Sequence, residues 1–261
     1  MKAKFLFLGT GGSMGVPVIG CACEVCCSDS PKDQRMRASG LVTIGDKTLL
    51  IDCGPDFHQQ ALRYGIDRLD GALITHAHHD HIASIDELRV YPLYTKMPFP
   101  CLLSKETGKD LTERFNYIFK PHEPHRCFLP KISLQYLKED RGIEDFLGIK
   151  IRYLTFEQMG MKVNGFRFGD LAYVSDIHDY PATIFEDLAG VETLVLSALR
   201  FTPNPFHFSI DEAVDFARKV GAKMTWLTHI SHDLKHDKTD SYLPSNVRLA
   251  YDGLEISFTP E

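Results

Sequence analysis

Within six residues, His76-Ala77-His78-His79-Asp80-His81, the chain places four histidines and an aspartate. An ordinary core segment cannot hold such a run, because each buried imidazole or carboxylate needs its own partner. The spacing is not that of the helical H-E-x-x-H pattern either. Residues 71–75 are apolar, read as a strand and lead directly into His76, so the run sits on a turn at a strand end. From such a turn His76 and His78 can face one point while Asp80 and His81 face a second. Two cations about 3.5–4 Å apart use that layout.

Composition narrows what surrounds this turn. With 44% hydrophobic and 25% charged residues, the 261-residue chain reads as globular rather than disordered. No stretch approaches the roughly 20 apolar residues that span a bilayer, so no membrane partner is expected. Residues 5–8 form a short apolar run near the start, well below a signal-peptide core of about 7–15 residues, and a cytoplasmic location is expected. The formal charge of −6 argues against broad electrostatic binding to nucleic acid.

Patterning along the chain suggests sheets packed together with helices outside them. Strands are expected at residues 4–8, 41–44, 48–52, 149–154, 165–168, 171–175, 194–196, 224–228 and 255–258. Helices are expected over 57–64, 84–90 (until Pro92 interrupts it) and 107–119. A further helix over 209–220 carries a capping box, Ser209 with Glu212, and an apolar stripe of Ile210, Ala213, Val214 and Ala217. No internal repeat is visible and no linker divides the chain. Residues 97–145 are the least patterned.

Four of seven cysteines cluster at Cys21, Cys23, Cys26 and Cys27. Clustered thiols in a reduced compartment point to a soft metal, and structural zinc takes four ligands. Cys53, Cys101 and Cys127 read as small buried hydrophobes.

His76-x-His78-x-Asp80-His81 after a strand, with Asp52 ending an earlier one, resembles the metallo-β-lactamase superfamily. The opening Gly9-Thr10-Gly11-Gly12-Ser13-Met14-Gly15-Val16-Pro17 resembles its PhnP-type phosphodiesterase branch. So do Cys21-Ala22-Cys23-Glu24-Val25-Cys26 and Thr228-His229-Ile230-Ser231-His232. The resemblance implies an α/β fold, the four-layer αββα metallo-β-lactamase sandwich, here as one domain over residues 1–261. It implies a first metal on His76, His78, a third histidine and a bridging aspartate, and a second on Asp80, His81, the same aspartate and a late histidine. The bridge falls on Asp176 and the late histidine on His229. It also implies His232 as the fourth ligand of a structural zinc held by Cys21, Cys23 and Cys26. His207 falls where related enzymes contact phosphate or protonate the leaving oxygen, while Asp52 is expected to hold the metal loop by hydrogen bonds.

The third histidine is absent, and its position falls on Gln158. Gln158 or Glu157 could substitute, His178 or water could fill the gap, or the first site could be weak or empty. A glutamine oxygen is a poorer ligand than imidazole for zinc-like ions. The expectation is therefore a preserved second site and a compromised first, with one or two divalent ions, zinc or manganese. The implied reaction is metal-assisted hydrolysis of a small or cyclic nucleotide-like phosphodiester, with Asp80 and His207 in catalytic roles. Alternatives are an RNA 3′-processing endonuclease and a catalytically degenerate metal- or ligand-binding protein; a homodimer would be unsurprising.

Overall fold

The computed structural model describes residues 3–119 and 132–261. One sheet contains β1 (Ala3–Gly9), β2 (Ser39–Ile44), β3 (Lys47–Ile51), β4 (Gly71–Leu73), β5 (Phe99–Leu103), β6 (Ile132–Tyr136) and the last strand, β14 (Glu255–Phe258). The other contains β7 (Arg141–Phe146), β8 (Ile149–Gln158), β9 (Met161–Phe168), β10 (Leu171–Val174), β11 (Thr193–Ser197), β12 (Met224–Thr228) and β13 (Val247–Leu249). Their orders are β14-β1-β2-β3-β4-β5-β6 and β13-β12-β11-β10-β9-β8-β7.

The two sheets share one plan. β1, β2 and β3 pair antiparallel, then β3 to β6 pair parallel. β8, β9 and β10 pair antiparallel, then β10 to β13 pair parallel. This duplication is one of topology and leaves no repeat in the residues themselves.

Side-chain alternation along the strands builds three apolar seams. In β1, Phe5 and Phe7 face the opposite sheet and share a seam with Leu49 of their own sheet and with Phe146, Phe166 and Tyr173 of the other. Leu8 and Leu6 face outward, toward a second seam with Phe57, Ile85, Leu111 and Ile118. That seam lies under α1 (Phe57–Tyr64), α2 (His79–Ile82), α3 (Val90–Thr95), α4 (Lys105–Arg114) and α5 (Asn116–Phe119). The third seam joins β10 to β12 with α6 (Ile184–Asp187), α7 (Ile210–Val220) and the end of α8 (His236–Tyr242), through Val174, Leu196, Ile184, Ile210, Phe216 and Leu243. Three seams make four layers, the αββα sandwich.

Local chemistry sets the element ends. α7 begins at the expected capping box: the Glu212 carboxylate accepts from the Ser209 amide at 2.8 Å, and Ser209 Oγ accepts from the Glu212 amide at 3.4 Å. Pro92 does not stop the helix expected over 84–90. A 3-10 turn, Ile85–Arg89, precedes α3, and Pro92 is the third residue of α3, where an N–H would lack an intrahelical acceptor. The helix expected over 107–119 divides at Phe115, and it starts earlier because Ser104 Oγ caps the Thr107 amide at 3.1 Å. Strands β5, β6, β7 and β13 lack the clear alternation that marks β1, and the sequence reading did not find them. Cys53 and Cys101 are fully buried, as expected. Cys127, His122 and His125 lie outside the described residues.

Candidate active site

Three strand ends turn toward one point through the same backbone device. Asp52 after β3, Asp176 after β10 and His229 after β12 have φ of 61°, 60° and 58°. A left-handed backbone at a residue other than glycine costs about 1–3 kcal/mol and persists only where the surroundings fix it. All three are buried in the closely packed ends of the sheets.

Asp52 organises the loop after β4. Its carboxylate accepts from the Thr75 amide and hydroxyl, both at 2.8 Å, and lies 2.7 Å from His81 Nδ1. His81 thus donates from Nδ1 and turns Nε2 toward the site. Thr75 Oγ1 lies 2.8 Å from His76 Nδ1, which orients His76 in the same way. The Cys53 amide donates to the His81 carbonyl at 2.7 Å, and a Cβ on Gly54 would lie 2.0 Å from the Asp80 carbonyl oxygen. Only glycine permits that approach. Asp52 therefore takes the loop-holding part expected of it, and Thr75 joins it.

Around this scaffold the expected residues gather. His81 Nε2 lies 3.4 Å from Asp80 Oδ2 and 3.3 Å from Asp176 Oδ2. His229 Nε2 lies 3.3 Å from both Asp80 Oδ2 and Asp176 Oδ1. Donors about 2.0–2.2 Å from a tetrahedral ion stand roughly 3.3–3.5 Å apart, so Asp80, His81 and His229 are grouped as a zinc-like site would group them, with Asp176 turning one oxygen to each imidazole. His81 Nε2 is buried and has no hydrogen-bond partner among the described residues despite the two nearby carboxylates. A nitrogen lone pair aimed between carboxylate oxygens suits a shared cation. The electrostatics agree: although burial disfavours charge on His81 and His229, Asp176 with its neighbouring carboxylates raises both above the ordinary imidazole range. Burial likewise opposes ionisation of Asp80 and Asp176, yet the imidazoles hold both carboxyls below their usual range. A buried carboxylate cluster of this kind calls for positive charge at its centre.

The other expected ligands are arranged less completely. His76 Nε2 and His78 Nδ1 are 3.0 Å apart, and His76 also groups with His81 and Asp176. His78 is exposed, so this side of the cleft is open. Gln158, at the end of β8, is buried, but its amide nitrogen is 3.2 Å from His207 Nδ1. Strand alternation puts Glu157 on the opposite, exposed face. His178 Nδ1 is 3.1 Å from its neighbour Asp179 and joins no ligand group among the described residues.

His207 stacks on His229 with ring centroids 4.6 Å apart and lies 3.5 Å from Asp176 Oδ1. Burial, then the neighbouring His229, push it down to about 4, so its ring is neutral at physiological pH. Asn204, which sequence reasoning missed, fixes its loop: Oδ1 accepts from the Phe206 and His207 amides, both at 3.0 Å, and Nδ2 donates to the His207 carbonyl at 3.1 Å. An asparagine between two prolines was the available signal for such a turn.

A separate cluster lies on the adjoining loops. Cys21, Cys23 and Cys26 Sγ lie 3.3, 3.5 and 3.5 Å from His232 Nδ1. Zinc bonded to sulfur at about 2.3 Å and nitrogen at about 2.0–2.1 Å would separate them by about 3.5 Å. Cys27 is exposed and outside this group. The cluster adjoins the active site through backbone pairing of Ile230 with Thr10 and Gly12, at 2.9 and 3.0 Å.

Similarity to known proteins agrees with this geometry. A model of the beta-lactamase superfamily domain matches residues 47–230. The chain is 33% identical to an octanoyltransferase of Porphyromonas gingivalis over 97% of its own length, and spans about half (51%) of that protein. It is 25% identical to ribonuclease Z of Mycobacterium sp., covering 77% of this chain and 80% of that one. The crystal structure of a diphosphatase from the PhnP family superposes with a TM-score of 0.91 at 37% identity, covering 99% of this chain and 98% of the other. With a sandwich of this topology and a matching sequence model, the chain belongs to the metallo-β-lactamase superfamily.

Proposed function

We propose that the chain is a metal-dependent phosphodiesterase acting on a small or cyclic nucleotide-like phosphodiester. The observation that carries this reading is the convergence of Asp80, His81, Asp176 and His229 at donor separations of 3.3–3.4 Å. A divalent cation held there, zinc or manganese, supplies Lewis acidity that polarises a phosphoryl oxygen and brings water toward ionisation near neutral pH. The protein does the rest. Asp52 and Thr75 hold His81 and His76 in the ligating tautomer, and Asn204 keeps His207 against the cleft. His207 donates a hydrogen bond to charge developing on the phosphoryl or leaving oxygen. His76, His78 and Asp176 form an incomplete first site, because Gln158 is engaged with His207. Cys21, Cys23, Cys26 and His232 hold a structural zinc.

Stripping the protein of metal should abolish turnover of bis(4-nitrophenyl) phosphate, and zinc or manganese should restore it. Hydrolysis indifferent to a chelator would refute the reading. Cleavage of precursor tRNA by the pure protein, with the diester untouched, would favour the RNA-processing alternative that the likeness to ribonuclease Z keeps open. Replacing Gln158 with His gives the first site a third imidazole. Metal content by plasma mass spectrometry should then rise from about two to about three ions per chain. A content that stays the same would remove Gln158 as the cause of a weak first site.

A further inference from the structure

His229 differs from the neighbouring histidines in how its ring is held. Asp52 meets His81 Nδ1 and Thr75 meets His76 Nδ1, but His229 Nδ1 is buried with no hydrogen-bond partner among the described residues. Histidines that bind metal almost always use their second nitrogen to fix the ring. Here the loop at Thr10–Gly12 takes that part. The Thr10 carbonyl accepts from the Ile230 amide at 2.9 Å, and the Gly12 amide donates to the Ile230 carbonyl at 3.0 Å. A Cβ on Gly12 would lie 3.4 Å from His229 Nδ1, so the loop backbone packs against the ring itself.

That loop is held by Arg35, the one buried arginine among the described residues, at 3% exposure. Its Nη1 donates to Thr10 Oγ1 at 2.7 Å and to the Ala250 carbonyl at 2.6 Å, and its Nη2 donates to His236 Nδ1 at 2.9 Å. A guanidinium only donates, so His236 accepts as a neutral ring. Burial, then Arg35, push that imidazole down to about 4. The Thr10 hydroxyl in turn donates to Asp252 Oδ1 at 2.7 Å, which fixes the threonine side chain from two sides. The Arg35 backbone pairs with Val16 in both directions, at 2.7 and 2.9 Å, and closes the far end of the same loop. Burial pushes the guanidinium down only to about 10, so it stays charged at neutral pH. A buried charge persists only where its donors are satisfied, and the rigid fork aims these at three segments at once.

Building on the metal centre of the phosphodiesterase reading, we propose that Arg35 is the positioning residue for His229, acting through Thr10. The path has three short steps: Arg35 to the Thr10 hydroxyl, the Thr10 carbonyl to the Ile230 amide, and Ile230 to the residue before it. Without the fork, Thr10 is free to turn and the loop loses its tie to Ala250. His229 Nε2 is then no longer aimed between Asp80 and Asp176, and an ion there is held by one fewer well-placed donor.

The test reads the ion directly, well below the melting temperature of each variant. Protein produced with manganese is exposed to rising chelator, and retained manganese is counted by plasma mass spectrometry. Zinc on the thiolate cluster, which soft sulfur keeps from manganese, is counted in the same samples. Arg35→Lys keeps the charge without the fork, and Thr10→Val removes the hydroxyl. Both should lose manganese at about tenfold less chelator, the lower end of the range for groups that support metal ligands. Zinc should stay at the native level. At saturating manganese, kcat for bis(4-nitrophenyl) phosphate should fall severalfold with KM little changed. Arg35→Met should show the larger effect, and if it fails to fold the two milder variants carry the test. A lowered melting temperature with native manganese retention would overturn the inference and leave Arg35 a support of the fold alone. Joint loss of zinc and manganese would overturn it too, as a general loosening. A native chain that holds manganese yet leaves the diester untouched would end the phosphodiesterase reading, while retention in the variants still decides the part of Arg35. A native chain retaining no ion beyond the cluster zinc would end both.

Discussion

Asp80→Asn and His229→Ala should each reduce turnover of a phosphodiester by more than about a hundredfold, since even residues that merely support metal ligands cost about 10–100-fold when changed. The reason lies in shared corners. Asp80 Oδ2 is within 3.4 Å of His81 Nε2 and 3.3 Å of His229 Nε2. Removing either residue deletes one donor of four, and the asparagine variant also leaves less negative charge to retain a cation. The paired measurement is metal content, which should fall by about one ion per chain in both variants while the far-ultraviolet spectrum is preserved. Native-like turnover in either variant would exclude the proposed centre. Asp52→Asn makes a useful contrast: it keeps the side-chain shape but weakens the acceptor for His81 Nδ1, so its effect should be smaller than that of Asp80→Asn.

His232→Ala, or Cys23→Ser, should lower thermal stability rather than chemistry alone. Zinc sites of this composition contribute an apparent ~10–16 kcal/mol in small peptides. In a chain that already has three apolar seams the loss is smaller. A loss of about 3 kcal/mol would lower the melting temperature by roughly 6–12 °C for a protein of this size. The damage should start where the clip acts, at residues 21–27, and appear as faster proteolysis there. It should then reach His229 through the Ile230 pairing with Thr10 and Gly12. Equal melting temperatures for the native and variant proteins, both purified with zinc, would show that the four side chains do not share a metal.

What the sequence disclosed was what local chemistry determines. The histidine run, the cysteine cluster and the Ser209–Glu212 box lie within a few residues, and each signals its own structure. Asp176 and His229 were found only through resemblance, because a single polar residue after an apolar strand has no distinctive spacing. Gln158 shows the boundary most clearly. Its position could be located, but its engagement with His207 depends on β8 and a loop some fifty residues later coming together. Strand β5 begins Phe99-Pro100 and pairs with β6 across intervening chain, so short-range pattern gave no warning of either.

The left-handed turns at Asp52, Asp176 and His229 have a kinetic consequence. Side chains locked by strained backbone are already in place before an ion arrives, so metal capture requires little rearrangement of the protein. The speed of loading and release would then be governed by the entrance beside solvent-facing His78 rather than by any folding of the walls. A bulky residue at that doorway should slow exchange in both directions while leaving the equilibrium affinity of the inner pocket close to its original value.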